Sequence, residues 1–445
     1  MEAGHYHSRI MSTIFRMSLV AFSLVLAGCQ STSRVDYLTY WCATNTFEIE
    51  FARQVVAEWN QDTTHIPVHF QPVPSGQSSE EVILAAIVGK TTPDIYSNIW
   101  PGVIEQYREA GAILSFSQFR DHDSVFTARF PAELIKGFRS PDSQFYQFPW
   151  KGNPLMMFYN KGLLEEAGVK EIPTTFEEFM VIAPQVVVDL DGDGHPDRWL
   201  MDPNIIPEWW QRFFDFYAFS IASTQGKTLI TEGKANLDRP ESYQVMDFFR
   251  WNYSHGYFPR SIFQEDIFLK GQLAFHVTGP WMVSYAERYK PPDLEYGIAP
   301  LVRPEGIEGP VYTYGDPKSI VIFSTTQHPR EAWEFVKFMT NRLNDLRLLD
   351  ITGQLPLRKN LTLDTLYRDY FAENPASRLY AEQIPYIVGT DHTIYLQEIF
   401  DIISQEFDAA CIYQAKTVDA AIMSMQERVQ HLLDREAYGK TTDRP

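Results

Sequence analysis

The chain is 445 residues long, 44% hydrophobic and 14% aromatic, which excludes a disordered polymer and leaves apolar material for two or three domains. Lysine and arginine total 38 against 57 aspartates and glutamates, a formal charge of −19 that repels phosphate backbones and argues against nucleic acid as a partner. Three cysteines are too few for a disulfide scaffold, and no stretch supplies the roughly 20 uninterrupted apolar residues of a membrane-spanning helix.

At the amino terminus, Arg9 and Arg16 precede the apolar run Met17 to Ala27, and a polar tract follows Cys29. That layout predicts a removable export signal over residues 1–28. Leu26-Ala27-Gly28-Cys29 resembles the bacterial lipoprotein box, which implies a diacylglyceryl group on the Cys29 thiol and a lipid bilayer as partner. The competing reading is an ordinary secretory signal with an incidental cysteine. Either reading sends the chain to the bacterial cell envelope, on the periplasm side. Cys42 and Cys411 are then left as either a single disulfide or two buried thiols, and both readings stand.

Val35 to Trp41 alternates as a strand does, and Phe47, Phe51, Val55, Val56 and Trp59 form a helical stripe behind it. Val68 to Val73 reads as a second strand. Ser79 is placed to cap a helix through Val82, Ile83 and Ala86 that stops at Gly89, and Pro93 to Tyr96 opens a third strand. This alternation predicts parallel pairing in an α/β layer structure. Thr174 with Glu177 and Thr175 with Glu178 offer overlapping capping boxes for the next helix, and the near-continuous apolar run Phe213 to Ile221 predicts a buried one. Leu273 to Val277 and Ser319 to Phe323 read as strands, Pro329 as a helix start, and Leu396 to Leu432 as helical.

Several of these stretches, taken in order, resemble one family. Tyr159-Asn160-Lys161 and the short helix after it come first, followed by Ile172 to Phe179, with Phe176 where that family usually has tryptophan. Phe268 to Phe275 with the turn Gly279-Pro280-Trp281, then Glu331 to Met339, and finally Gly353 to Arg358 complete the set. The family is that of the bacterial extracellular solute-binding proteins of ABC importers, in its sugar-binding branch. The resemblance implies an α/β, two-lobe periplasmic-binding-protein-like fold (type II) with lobes joined by crossing hinge strands. By analogy, lobe one takes residues 36–149 and 274–324, and lobe two residues 150–273 and 325–430. It also implies a sugar or other small uncharged solute as ligand, ABC permease subunits as partner, no catalysis and no required cofactor.

A sugar presents apolar C–H faces and a rim of hydroxyls, so its receptor needs flat rings and hydrogen-bonding side chains. Trp59 and Trp333, inside amphipathic stripes, read as core. Trp41, Trp100 and Trp150 lie at predicted strand ends, where α/β clefts open, Trp209 and Trp210 lie near a helix start, and Trp281 sits in its Gly-Pro turn. Each of these six is a ligand candidate with core packing as its alternative, and Trp281 is the strongest by family position. Tyr314, Gly315 and Asp316 match the family's glycine-containing ligand loop, with Asp316 as a plain turn acid as the alternative. Asn45, Asn98 and Asn153 read first as turn or cap residues.

Asp189, Asp191, Asp193 and Asp197 fall at positions one, three, five and nine of a tight loop, with the His195 carbonyl at seven. Such spacing suits structural Ca²⁺, although Leu200 stands where an EF-hand has glutamate. A metal-free acidic turn is the other reading. The same acids and rings also fit an exported glycosidase, but no serine elbow, zinc-binding helix motif, phosphate loop or dinucleotide turn is present. A ligand sensor docking a signalling partner would share the two lobes.

Overall fold

The computed structural model describes residues 36–74 and 78–442. The export signal and Cys29 lie outside them. From Leu38 onward the chain forms one compact unit built on two mixed sheets.

The strands are, in chain order, β1 (Leu38–Cys42), β2 (Val68–Pro72), β3 (Ile95–Ile99), β4 (Phe148–Lys151), β5 (Met156–Asn160), β6 (Trp199–Met201), β7 (Ile230–Thr231), β8 (Lys234–Ala235), β9 (Leu273–Thr278), β10 (Tyr296–Ala299), β11 (Thr313–Tyr314), β12 (Lys318–Ile322) and β13 (Ile387–Val388). The first sheet runs β2-β1-β3-β12-β4. Its β1, β2 and β3 are parallel, as the strand–helix alternation predicts, while β12 runs antiparallel to both neighbours. Helix Thr46–Trp59 covers it with Phe51, Ala52 and Val55, packed with Tyr40, Phe148 and Ile320 into one core.

The second sheet runs β10-β5-β9-β6. Side chains alternate across β5, so Met156 and Phe158 join one core while Met157 joins another on the opposite face. That second face is filled by helix Phe176–Val186, which Thr175 and Glu178 start with a reciprocal capping box, and by the wholly buried helix Phe216–Ser223. Helix Ser79–Gly89 is capped by Ser78 rather than Ser79, the Ser78 hydroxyl accepting from the Glu81 N–H.

The two sheets are the two lobes of the type II fold. Three segments cross between them: Gly152–Leu155 from β4 to β5, the run from β10 through β11 to β12, and Gly353–Leu357, where Pro356 bridges Lys151. The boundaries expected from sequence need correction. β9 pairs with β5 and β6, so of the stretch 274–324 only β12 lies in the first sheet. Helices Pro329–Met339 and Arg342–Thr352, expected in lobe two, put Trp333, Phe335, Val336 and Leu348 into the first lobe's core. Strand partners sit far apart in sequence, and an apolar strand carries no mark of which sheet it will join.

Candidate ligand-binding cleft

A cleft of about 480 Å³ opens at the carboxyl ends of β1 and β3, where the crossing segments meet both lobes. The first lobe supplies Thr44 after β1, Asn98 and Trp100 at the end of β3, and Ser78 to Glu80 at the start of a helix. The second lobe supplies Trp209, Trp210, Phe213 and Phe214, and the crossing segment adds Tyr314, Asp316 and Lys318.

Aromatic rings join the walls. Trp100 is 4% exposed, and its ring lies 4.9 Å from that of Trp209 and 5.2 Å from that of Phe213 on the other lobe. Its Nε1 donates to the Tyr314 hydroxyl at 2.9 Å. Trp210, 39% exposed, keeps its ring open to solvent. Flat apolar surface next to polar groups is what a pyranose ring binds.

The polar groups are partly neutralised. Lys318 Nζ donates to Asp316 Oδ1 at 2.8 Å, and the Tyr314 hydroxyl approaches the same oxygen. Burial works against the Lys318 ammonium, yet Asp316 and Glu80 hold its pKa above the ordinary lysine value. Burial raises the Glu80 carboxyl, with Lys318 opposing. Asn98 Oδ1 accepts from Lys151 Nζ at 3.1 Å, which leaves its amide nitrogen to serve as donor.

Phe214 is also a wall of a second cavity of about 270 Å³, within lobe two. Trp281 lines this smaller cavity, its ring 6.3 Å from Phe214. His276 Nδ1 meets Asp202 Oδ1 at 2.8 Å on the same wall. Burial lowers the His276 pKa, but Asp202 more than offsets it. The Gln211 amide and the Thr278 hydroxyl, both in almost fully buried residues, line this cavity as well.

Of the residues expected at the ligand, Trp100, Trp209, Trp210, Tyr314 and Asp316 line the main cleft and Trp281 the cavity beside it. Trp150 does not. It is fully buried in the first lobe's core, 5.7 Å from the Phe51 ring, because its position in β4 turns the side chain away from the crossing. Trp41 is half-buried against the large core and is not part of the described cleft wall. Gly315 backs onto Ile387, which a Cβ would meet at 2.8 Å, so it serves packing. Asn45 caps helix Thr46–Trp59. Glu80, Lys318, Phe213 and Phe214 also line the cleft, although in the sequence Glu80 reads as a first-turn helix acid and the phenylalanines as core.

In the acidic loop, carboxylate oxygens of Asp189, Asp191 and Asp197 lie within 4.8 Å of one another, while Asp193 and His195 stand outside that group. Asp189 also accepts from the Gly192 and Gly194 amides, which hold its carboxyl below the usual range. Cys42 and Cys411 are free thiols buried in separate cores, so the disulfide reading falls.

The family model of the bacterial extracellular solute-binding proteins matches residues 54–376. The chain belongs to this family. Its relatives include the maltotriose-binding protein of Pyrococcus abyssi, 24% identical over 324 residues, which are 71% of this chain and 65% of that protein. The fold is shared with MalE, the sugar-binding protein of Xanthomonas citri, at a TM-score of 0.73 and 20% identity over 92% of this chain and 100% of that one. It is shared equally with UgpB of Mycobacterium tuberculosis, solved with glycerophosphocholine, at a TM-score of 0.75 and 20% identity over 90% and 99%. Membership places this solute-binding protein outside the cytoplasm, and no described helix is long and apolar enough to cross a membrane.

Proposed function

We propose that this solute-binding protein captures a sugar or oligosaccharide between its lobes and hands it, unaltered, to an ABC permease, while acyl chains on Cys29 tether it to the membrane. The observation that carries the reading is the cleft wall. Six rings, Trp100, Trp209, Trp210, Phe213, Phe214 and Tyr314, stand beside the hydroxyl-bonding groups of Glu80, Asn98, Asp316 and Lys318. Room beyond Phe214, beside Trp281, suits a second sugar unit.

Charge argues for an uncharged ligand over a phosphorylated one. Glu80 and Asp316 outnumber Lys318, and Glu80 already answers the positive end of helix Ser79–Gly89. The loop holding Asp189, Asp191 and Asp197 is proposed as a structural calcium turn, supported by the closeness of those three carboxylates.

A melting screen against a sugar library that includes maltotriose tests the reading. A ligand at 100 times its Kd stabilises the folded state by about 2.7 kcal/mol. No hit in the library refutes the sugar reading, and release of reducing ends from a hit replaces it with a glycosidase.

A further inference from the structure

Behind the cleft a buried carboxylate gathers the crossing segments. Glu48, in the first turn of helix Thr46–Trp59, is 4% exposed. Its Oε1 accepts from Lys151 Nζ at 2.7 Å, from Gln354 Nε2 at 2.7 Å and from Asn45 Nδ2 at 3.2 Å. Lys151, itself fully buried, closes β4 at the start of the first crossing, and Gln354 lies on the third. The second is tied in by the Asn153 backbone N–H, which donates to the Gly315 carbonyl at 2.6 Å, while the Asn153 amide reaches toward the Asp316 carbonyl and Gln354 Oε1.

Asn153, Asp316 and Gln354 each follow a glycine: Gly152, Gly315 and Gly353. The backbones run close here, and a Cβ on Gly152 would sit 2.4 Å from Leu357. A hydrophobic cluster would fill this space at lower cost, since a buried ion pair must offset the desolvation of both charges. Glu48 Oε2 and Asn153 Oδ1, moreover, are buried without a protein partner among the described residues. Burial raises the Glu48 carboxyl, but Lys151 and Gln354 more than offset it, so the group stays ionised.

We infer that Glu48 is a positioning residue for ligand binding. Through Lys151 it orients Asn98, which lines the cleft, and through Gln354 and Asn153 it sets the crossing that carries Asp316 and Lys318. The junction thereby couples the ligand wall to the angle between the lobes. A polar junction suits that task because its bonds are directional, whereas apolar contacts tolerate sliding. The inference rests on reading the cleft as the ligand site.

The test uses Glu48→Gln/Lys151→Met in the full chain, which removes both buried charges with little change of volume and so protects the fold. Glu48→Gln alone, which leaves Lys151 unpaired, serves as a second variant. Three quantities are measured: the unfolding midpoint, the radius of gyration of the free protein by small-angle scattering, and the affinity for maltotriose. The expected result is a double variant that unfolds at or above the wild-type midpoint but has a larger free-state radius. Its maltotriose affinity falls about tenfold, as when the competent arrangement drops to about a tenth of the population. A wild-type free-state radius in the double variant overturns the inference. Unchanged affinity in a variant whose radius has shifted overturns the coupling to ligand. If wild-type protein binds no sugar at all, the reading of the cleft fails instead, and the free-state radius still decides the role of Glu48.

Discussion

The indole nitrogen of Trp100, at the end of β3 in one lobe, donates to the hydroxyl of Tyr314, on the segment that crosses from the other, at 2.9 Å. The bond is buried, and the Tyr314 hydroxyl in turn approaches Asp316 Oδ1 at 3.4 Å. It therefore joins an aromatic platform to the acid expected to read sugar hydroxyls. Tyr314→Phe should cost about 1 kcal/mol of stability, and Trp100→Phe, which also shrinks a packed ring, roughly 1–3 kcal/mol. Because the two remove one shared bond, the double variant should cost less than the sum. A double-mutant cycle by urea unfolding that shows simple additivity would refute this link.

Trp150 and Trp281 look alike in sequence, each beside a family motif, but they separate in the fold. Trp150→Phe shrinks a filled core and should lower stability by roughly 1–3 kcal/mol while leaving sugar affinity as it was. Trp281→Ala strips a platform from the second cavity. On the proposed reading it weakens maltotriose roughly tenfold or more, the scale of an aromatic anchor, and spares a monosaccharide seated in the main cleft. Calorimetric titration of both variants with both sugars checks the pair. Equal losses for the two sugars in Trp281→Ala would refute the placement of a second unit.

These two tryptophans also show what the sequence could reveal. Helix starts are written locally: the box of Thr175 and Glu178 depends on residues three apart, the cap expected at Ser79 falls one residue earlier at Ser78, and the periodic stripes of Trp59 and Trp333 mark core faces directly. The lobe boundaries were less legible, since β9 is assigned to its sheet by pairing with β5, more than a hundred residues earlier. Glu80 and Lys318 were hidden for a related reason. Each has an ordinary local role, helix acid or strand lysine; Glu80 meets the cleft because its helix starts there, and Lys318 because β12 is inserted between β3 and β4.

The acidic loop is tested by calcium. With calcium at about ten times its Kd, binding to the folded state alone adds about 1.4 kcal/mol, and the melting temperature should rise accordingly and fall back with chelator. Asp191→Ala should abolish the shift, because Asp191 belongs to the carboxylate group, whereas Asp193→Ala should keep most of it. No shift at millimolar calcium would make the loop an ordinary turn, held by the amides that Asp189 accepts from Gly192 and Gly194.

Asp215 should set a pH dependence. Burial raises its carboxyl from 3.8 to about 6, with Arg212, 3.1 Å away, opposing. In the unfolded chain the group loses its proton near pH 3.8, whereas the folded protein keeps it until about 6. Across that window the folded state holds more protons, so the contribution of Asp215 falls as pH rises and stays lost above it. The shift corresponds to a loss on the order of 3 kcal/mol between the two ends. Asp215→Asn carries no titrating proton there. Relative to wild type its stability should therefore climb with pH between about 4 and 6 and hold level beyond, whatever constant offset the substitution introduces. Urea unfolding of both proteins through that range gives the difference directly. A difference independent of pH would mean that Asp215 is ionised in the fold, with Arg212 outweighing burial.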